Sequence, residues 1–487
     1  MKPRMHGRLL PAYVGLLLAG TAGASGLPAK IQQVLDEADA LRRGYLGLRI
    51  VEVASGQVVF ESNADRLFVP ASNSKLFTTA LALTRLGPGR RFHTTVIAGR
   101  GPDPGGRIDG ALTLVGGGDP NLSGRELPYR VDSKAGDGLQ AIEALADQVV
   151  ARGVRRIDGD IVGDDSAYIW DPYPDGWGLG DQIWGYGAPV SALTINDNTF
   201  LLRAEPGDPI RISVDPPLEF YHIDNRIRTG RTRSIHVERE PGSRQVRIWG
   251  TLPAKGAALA ASLSIHDPAL YAAEALREAL TRRGVAIRGE AAARHALPGE
   301  QVEPASGVEL ARLDSAPLIE DLQVTSKVSQ NLHAELMLRA VARDRRGVGS
   351  AQAGLAEMKT FLEEAGVTKE EYYLADGSGL SRKNLVTPGA VVKLLQFMYN
   401  SPYRKDWLSL LPVGGQDGSL KVRFRKTSAA GRVLAKTGAL THVNSLSGYA
   451  ERGDGSVLAF SFLANNQDAR SAEVRSVLDK ICVLLTE

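Results

Sequence analysis

Apolar and polar positions change rhythm twice along the chain. Tyr45–Val53 alternates loosely and is rich in branched residues, and a second strand is predicted over Gln57–Glu61 after the Ser55-Gly56 turn. Helical periodicity then runs through Asn73–Leu86 until Gly87-Pro88-Gly89 stops it. From about 90 to 305 the texture becomes short strand-like runs between Gly, Pro and Asp turns. These runs are Thr94–Ala98, Ala111–Val115, Ile157–Val162, Ile210–Val214 and Val246–Trp249, with helices expected over Leu139–Ala151 and Ala269–Arg283. His295–Gly307, with two prolines and two glycines, reads as a linker.

The helical pattern returns from Ala316, over Leu318–Ala342, Gly354–Ala365 and Pro388–Tyr399. Strands Arg432–Lys436, Ser445–Arg452 and Ser456–Ala464 follow, the last two joined at Gly453-Asp454-Gly455, and an amphipathic helix Ala472–Leu485 comes last. The first block supplies a hairpin and a helix, and the last supplies helices, three strands and a further helix. Together they build a mixed α/β (α+β) domain, one antiparallel sheet with helices on both faces, and the β-rich middle is an insertion into it.

The 487 residues allow about three domains. The formal net charge of +3 comes from the start of the chain. Residues 1–24 hold Lys2, Arg4 and Arg8 without an acid, then an apolar stretch Leu9–Leu18 and the small-residue site Ala22-Gly23-Ala24. That is the form of a cleaved signal peptide, so the protein is expected to be exported, to the periplasm, with no transmembrane anchor. The remainder is balanced, with 55 basic and 55 acidic side chains, which gives no footprint for nucleic acid. The single cysteine, Cys482, sits in an apolar helical pattern and reads as a core thiol.

Ser72-Asn73-Ser74-Lys75 is the only S-x-x-K in the chain and opens a predicted helix, where positions i and i+3 share a face. A lysine amine held deprotonated there can take the proton of Ser72, and the helix start offers the Ser72 N–H to an oxyanion. A chain of this size holds on the order of one S-x-x-K by chance, so this motif needs company. Lys436-Thr437-Gly438 lies on a predicted strand, where Gly438 would let a substrate backbone approach. Ser329-Gln330-Asn331 interrupts or joins two helical stretches, and its hydroxyl and carboxamide suit proton relay and amide binding. S-x-x-K, S-x-N and K-T-G in this order form the signature of penicillin-recognising acyl-serine enzymes.

With Pro70–Leu76, Gly116-Gly117-Gly118-Asp119-Pro120, Gly187–Leu193, Ser329–Leu332, Asp376–Arg382 and Lys436-Thr437-Gly438, the sequence resembles the class C low-molecular-mass penicillin-binding proteins, D-alanyl-D-alanine carboxypeptidase/endopeptidases. The 257 residues between Ser72 and Ser329 match the large insertion of that family. The resemblance implies a β-lactamase/transpeptidase-like domain over 25–95 and 305–487, an inserted domain over 96–190 and 262–304, and a nested one over 191–261. It implies that Ser72 is the acylated nucleophile, Lys75 its base, Ser329 the relay to the leaving amine, and Asn331 a substrate-amide and Lys75 partner. Lys436 would keep the site electropositive, Thr437 would bind the terminal carboxylate, and Gly438 and Ala439 would complete the groove, with the Ala439 N–H as second oxyanion donor. Asp165, Trp170 and Arg382 would hold the free end of diaminopimelate, with Thr441 standing where some relatives carry glutamine. Peptidoglycan stem peptides and β-lactam antibiotics are the implied partners, and no cofactor or metal is implied.

Two other readings compete. A serine β-lactamase needs a carboxylate for fast deacylation, and no E-x-x-L-N block is present. A non-catalytic wall-binding protein on the same fold would not need all the motif residues intact. His333 and His442 flank the motifs without metal-ligand spacing and read as surface histidines. Gly116-Gly117-Gly118 lacks the lysine of a phosphate loop and reads as a turn in the insertion.

Overall fold

A computed structural model describes residues 26–133, 136–300 and 302–487; the expected signal peptide lies outside them. The two ends of the chain build one antiparallel five-stranded sheet, in the order Val433–Leu440, Val443–Glu451, Val457–Asn465, Tyr45–Glu52, Val58–Ser62. Tyr45 pairs with Asn465 and Glu52 with Leu458, so the N-terminal hairpin completes a sheet begun by the C-terminal strands. The two central strands are buried almost throughout, because helices cover both faces. On one face the Leu27–Asp36 and Ser471–Leu485 helices pack over Leu48, Ile50, Phe460 and Phe462, and Cys482 is buried there as a core thiol. On the other face, Val51, Ala459 and Leu463 meet a helical lobe that includes Ser74–Leu86, Asn331–Arg346 and Pro388–Tyr399.

The middle of the chain forms a second five-stranded sheet, in the order Ala291–Ala296, Ile161–Ile169, Leu112–Val115, His93–Ala98, Val308–Asp314. The first three strands are parallel and the other pairings antiparallel. Helices Gln140–Ala151 and Pro268–Arg282 cover it. Residues 199–264 add two three-stranded sheets whose side chains, among them Phe220 and Ile248, join Leu114 and Leu276 in one continuous core. Sheet pairing therefore puts 93–98 and 308–314 with the insertion, and an edge drawn at 95 cuts a strand. An edge at 262 likewise divides the strand Leu259–Ser264.

Local differences from the sequence reading have local causes. The run Ile157–Val162 splits into Arg156–Ile157 and Ile161–Ile169. The expected linker at His295–Gly307 begins inside the strand Ala291–Ala296. The helix expected over Leu318–Ala342 is two helices, Leu318–Lys327 and Asn331–Arg346. Between them Ser329 takes φ +67°, and the Gln330 side chain caps the second helix by accepting from Leu332 N at 3.3 Å. Among the described residues no helix is long and apolar enough to cross a membrane.

Candidate active site

Ser72 lies in a single helical turn, Ala71–Asn73, directly ahead of the Ser74–Leu86 helix. Ala71 adopts φ +49°, and Ser329 is left-handed too. Each such non-glycine position costs of order 1–3 kcal/mol, which the surrounding packing must offset. The Val433–Leu440 strand runs against this turn. Asn73 Nδ2 donates to Lys436 O at 3.0 Å, and Ser445 Oγ donates to Pro70 O at 2.7 Å. A Cβ on Gly438 would lie 2.8 Å from Pro70 O and 3.0 Å from Ser72 N. Gly438 thus lets the turn that carries Ser72 approach the strand.

Two fully buried lysines organise the centre. Lys75 Nζ lies 3.0 Å from Ser72 Oγ and donates at 2.6 Å each to Asn331 Oδ1 and Ser378 O. Burial pulls its pKa down to about 7, against the opposing pull of Asp376 and Glu335. Lys436 Nζ donates at 2.9 Å to Ser329 Oγ and at 2.9 Å to Thr437 O. Burial, with Lys75 nearby, holds it well below the ordinary lysine value. Thr437 Oγ1 donates to Ser419 Oγ at 2.7 Å.

The Ser378 carbonyl belongs to the Asp376–Arg382 loop, in which only Arg382 has a role implied by the resemblance. Asp376, buried, accepts from Trp177 Nε1 (2.8 Å), Ser378 Oγ (2.9 Å), Gly379 N (2.8 Å), Ser381 N (2.9 Å) and Asn384 Nδ2 (2.5 Å). Glu335 Oε1 accepts from Gly377 N and Ser378 N at 2.7 and 2.9 Å. These two carboxylates, one on the loop and one on the Asn331–Arg346 helix, hold the loop against Lys75.

A cleft of about 490 Å³ opens beside Ser72, bordered by Ser329, Asn331, Ala439, Asp181, Arg382 and Thr441. Arg382 Nη2 donates to Thr441 O at 3.0 Å. Asp165 and Trp170 are not on this cleft, which corrects their assignment. Asp165 is 1% exposed, accepting from Ser191 Oγ at 2.7 Å and facing His295 Nδ1 at 2.8 Å, while Trp170 stacks on His295 at 4.0 Å. Asp181 and Tyr186 stand on the cleft instead; Tyr186 OH donates to Asp181 Oδ1 at 3.1 Å, and Asn331 Nδ2 donates to Tyr186 O at 2.9 Å. Both acids have an aromatic residue five positions later, so spacing does not separate them, and only the insertion's path over the site does. A larger cavity of about 790 Å³, lined by insertion residues such as Gly116 and Tyr168 and by Ala340 and Arg343 of the helical lobe, includes no residue of the S-x-x-K, S-x-N or K-T-G motifs. His442 is exposed as expected, but His333 is fully buried between Asp321 and Asp197 and is not a surface histidine.

The chain matches the D-Ala-D-Ala carboxypeptidase 3 (S13) family over residues 27–485. It is 33% identical to a D-alanyl-D-alanine carboxypeptidase of Actinomadura sp. (strain R39), covering 100% of this chain and 89% of that protein. It is 26% identical to the D-alanyl-D-alanine carboxypeptidase DacB of Haemophilus influenzae, over 88% of this chain and 87% of the relative. The crystal structure of penicillin binding protein 4 (dacB) from Haemophilus influenzae superposes with a TM-score of 0.79 at 25% identity, covering 93% of this chain and 98% of the other. That likeness extends through the insertion as well as the two-ended sheet. A match across nearly the whole described chain, with the three motifs brought together around Ser72, places the protein in the D-Ala-D-Ala carboxypeptidase 3 (S13) family.

Proposed function

We propose that the chain is a serine DD-peptidase that hydrolyses the D-Ala-D-Ala bond of peptidoglycan stem peptides, and the D-Ala–diaminopimelate cross-link, through an acyl-serine intermediate at Ser72. One observation carries this reading: the placement of Lys75. A neutral amine has two N–H bonds and one lone pair. Asn331 Oδ1 and Ser378 O, which only accept, take the two N–H bonds at 2.6 Å. The lone pair is left for the Ser72 hydroxyl at 3.0 Å, and burial keeps the amine neutral in a large fraction of molecules near pH 7.

Ser72 Oγ attacks the carbonyl carbon of the penultimate D-alanine as its proton passes to Lys75. The resulting oxyanion is met by the N–H groups of Ser72 and Ala439. The proton that Lys75 took is relayed through Ser329, held by Lys436, to the departing amine. The C–N bond breaks to leave the acyl-enzyme, and Lys75 is neutral again. Water then attacks the ester carbonyl, Lys75 takes its proton, and the acyl group leaves as Ser72 recovers its own. A β-lactam amide presents the same carbonyl and acylates Ser72. Thr437 offers its hydroxyl to the terminal carboxylate, while Lys436, held well below the ordinary lysine value by burial, serves chiefly to hold Ser329. Asp181 and Arg382 offer opposite charges to the zwitterionic end of diaminopimelate, the role first given to Asp165, Trp170 and Arg382. Substrate of this kind lies outside the cytoplasm, which agrees with an exported, periplasmic enzyme.

The β-lactamase alternative wants a carboxylate facing a hydrolytic water. Glu335 and Asp376, the carboxylates that act on Lys75, are buried, and their oxygens are taken by loop N–H groups together with Arg339 and Trp177, which favours slow deacylation. The test is product analysis with defined muropeptides: the account expects free D-alanine from pentapeptide monomers and monomers from cross-linked dimers. Untouched peptides with rapid penicillin turnover would replace it with the β-lactamase reading, and neither activity would leave the wall-binding one.

A further inference from the structure

His333, on the helix that starts at Asn331, is fully buried and unused by the chemistry above. Its Nδ1 lies 2.7 Å from Asp321 Oδ1 and its Nε2 3.0 Å from Asp197 Oδ1. A neutral imidazole has one N–H and one lone pair, so two carboxylate partners call for N–H on both nitrogens. Burial alone would lower the imidazole's pKa, but Asp321 and Asp197 outweigh it and hold the ring at about 9.

The charged groups around the ring come from three segments. Asp321 lies on the Leu318–Lys327 helix and also accepts from Asn121 Nδ2 at 2.8 Å. Asp197, from the insertion, also accepts from Arg125 Nη2 at 2.5 Å and from Gln330 Nε2 at 2.8 Å. Arg125 Nη1 lies 3.4 Å from His333 Nε2. Asp119 accepts from Asn121 N at 2.9 Å, so the Gly116–Pro120 turn serves to deliver these groups. Gln330 is the middle residue of Ser329-Gln330-Asn331, and its neighbour Ser329 holds the left-handed conformation.

We propose that the insertion positions the Ser329–Asn331 turn for acylation through a buried Asp197–His333–Asp321 clamp, with Asp197 and His333 as positioning residues. The proposal rests on the reading of Ser329 and Asn331 as parts of the acyl-serine site. The clamp fixes Gln330 and the first turn of the helix from one side while Asn331 Nδ2 is fixed by Tyr186 O. With the clamp loosened, Ser329 Oγ and Asn331 Oδ1 lose register with Lys436 and Lys75, and misplacement of this order slows chemistry more than binding.

The test measures benzylpenicillin acylation of the full chain, separating the noncovalent dissociation constant from the acylation rate constant. Asp197→Asn keeps an oxygen acceptor but loses the charge. It is expected to lower the acylation rate constant about 10–100-fold at neutral pH with the dissociation constant unchanged. His333→Gln should do the same, and the double variant should lose little more. In the wild-type protein, 15N-imidazole NMR should show the His333 ring protonated at about pH 8, where an ordinary histidine with a pKa of about 6.5 is neutral. A neutral ring at that pH overturns the clamp without recourse to any variant. So does Asp197→Asn protein with the wild-type rate constant, or one altered only in the dissociation constant. Failure of the wild-type chain to be acylated at Ser72 would instead overturn the underlying peptidase reading.

Discussion

The carbonyl oxygen of Ser378 accepts a 2.6 Å hydrogen bond from Lys75 Nζ, so a loop 303 residues downstream aims the lone pair of the amine at Ser72. An i, i+3 pair on a helix brings serine and lysine to the same face. It does not choose which of the amine's three directions is left open. Ser378 O and Asn331 Oδ1 make that choice, and the loop that carries Ser378 is fixed by Asp376 and Glu335.

The pH dependence of acylation follows from Lys75. With a pKa near 7, its amine is about half neutral at that pH, whereas an ordinary lysine near 10.4 would be neutral in about one molecule in a few thousand. The neutral form is the base, so the acylation rate constant should rise as pH increases through about 7 and then level. Stopped-flow acylation across the pH range checks this. Lys75→Arg, a permanent cation, should be slower by about 10²–10⁴-fold and lose that limb.

Asp376→Asn tests the loop. The carboxylate oxygens accept from five donors, and an amide offers a single acceptor oxygen while turning NH₂ donors toward other donors. Leaving several of those groups unpaired should cost about 3 kcal/mol of stability, measured by urea unfolding. Asp376 also raises the Lys75 pKa, so the variant's acidic limb should move to lower pH. An unmoved limb would mean that the loop acts on Lys75 through geometry alone.

Thr437→Val should weaken kcat/KM for peptides ending in a free D-alanine carboxylate more than it weakens acylation by a small thioester without one. A hydrogen bond to a charged group contributes about 1.5–3 kcal/mol, or about 10–150-fold in rate if made in the transition state. Thr437 Oγ1 spends its one hydrogen on Ser419 Oγ in the free protein, so binding the carboxylate requires this pair to reverse, with Ser419 donating to Thr437. Lys436→Ala should slow both substrates, because it removes the group that holds Ser329. Equal losses for Thr437→Val on both substrates would refute carboxylate binding.

Asp181→Asn should lower kcat/KM about 10–150-fold for stem peptides with a free diaminopimelate amine, by the same charged hydrogen-bond magnitude, and leave amine-blocked peptides unaffected. Asp165→Asn, away from the cleft, should show no such selectivity. Steady-state kinetics on the paired substrates decides between the two acids.

The parts of the site that could be read in the sequence are those with a local signal. Ser72 and Lys75 depend on helical spacing, and the strand carrying Lys436-Thr437-Gly438 on a branched, turn-bounded run. Helical periodicity on both sides of Ser329-Gln330-Asn331 leaves open whether that motif breaks or joins the helices, because apolar periodicity does not report one left-handed residue. Asp165 and Asp181 have the same spacing to an aromatic residue, and only the insertion's path puts one on the cleft. His333 looked like a surface residue because its partners, Asp197 and Asp321, are 136 and 12 residues away in sequence. The two-ended sheet was legible for the opposite reason: each of its strands shows its own alternation or apolar run, and the blocks at the two chain ends were complementary in what they lacked.

The peptidase assignment stands or falls on acylation of Ser72. The most direct measurement is mass spectrometry of the protein after brief exposure to benzylpenicillin, followed by peptide mapping. The account expects one stable penicilloyl adduct on the peptide containing Ser72, absent from a folded Ser72→Ala variant that also lacks peptidase activity. An adduct that persists in that variant, or maps to another residue of the wild-type chain, would contradict it.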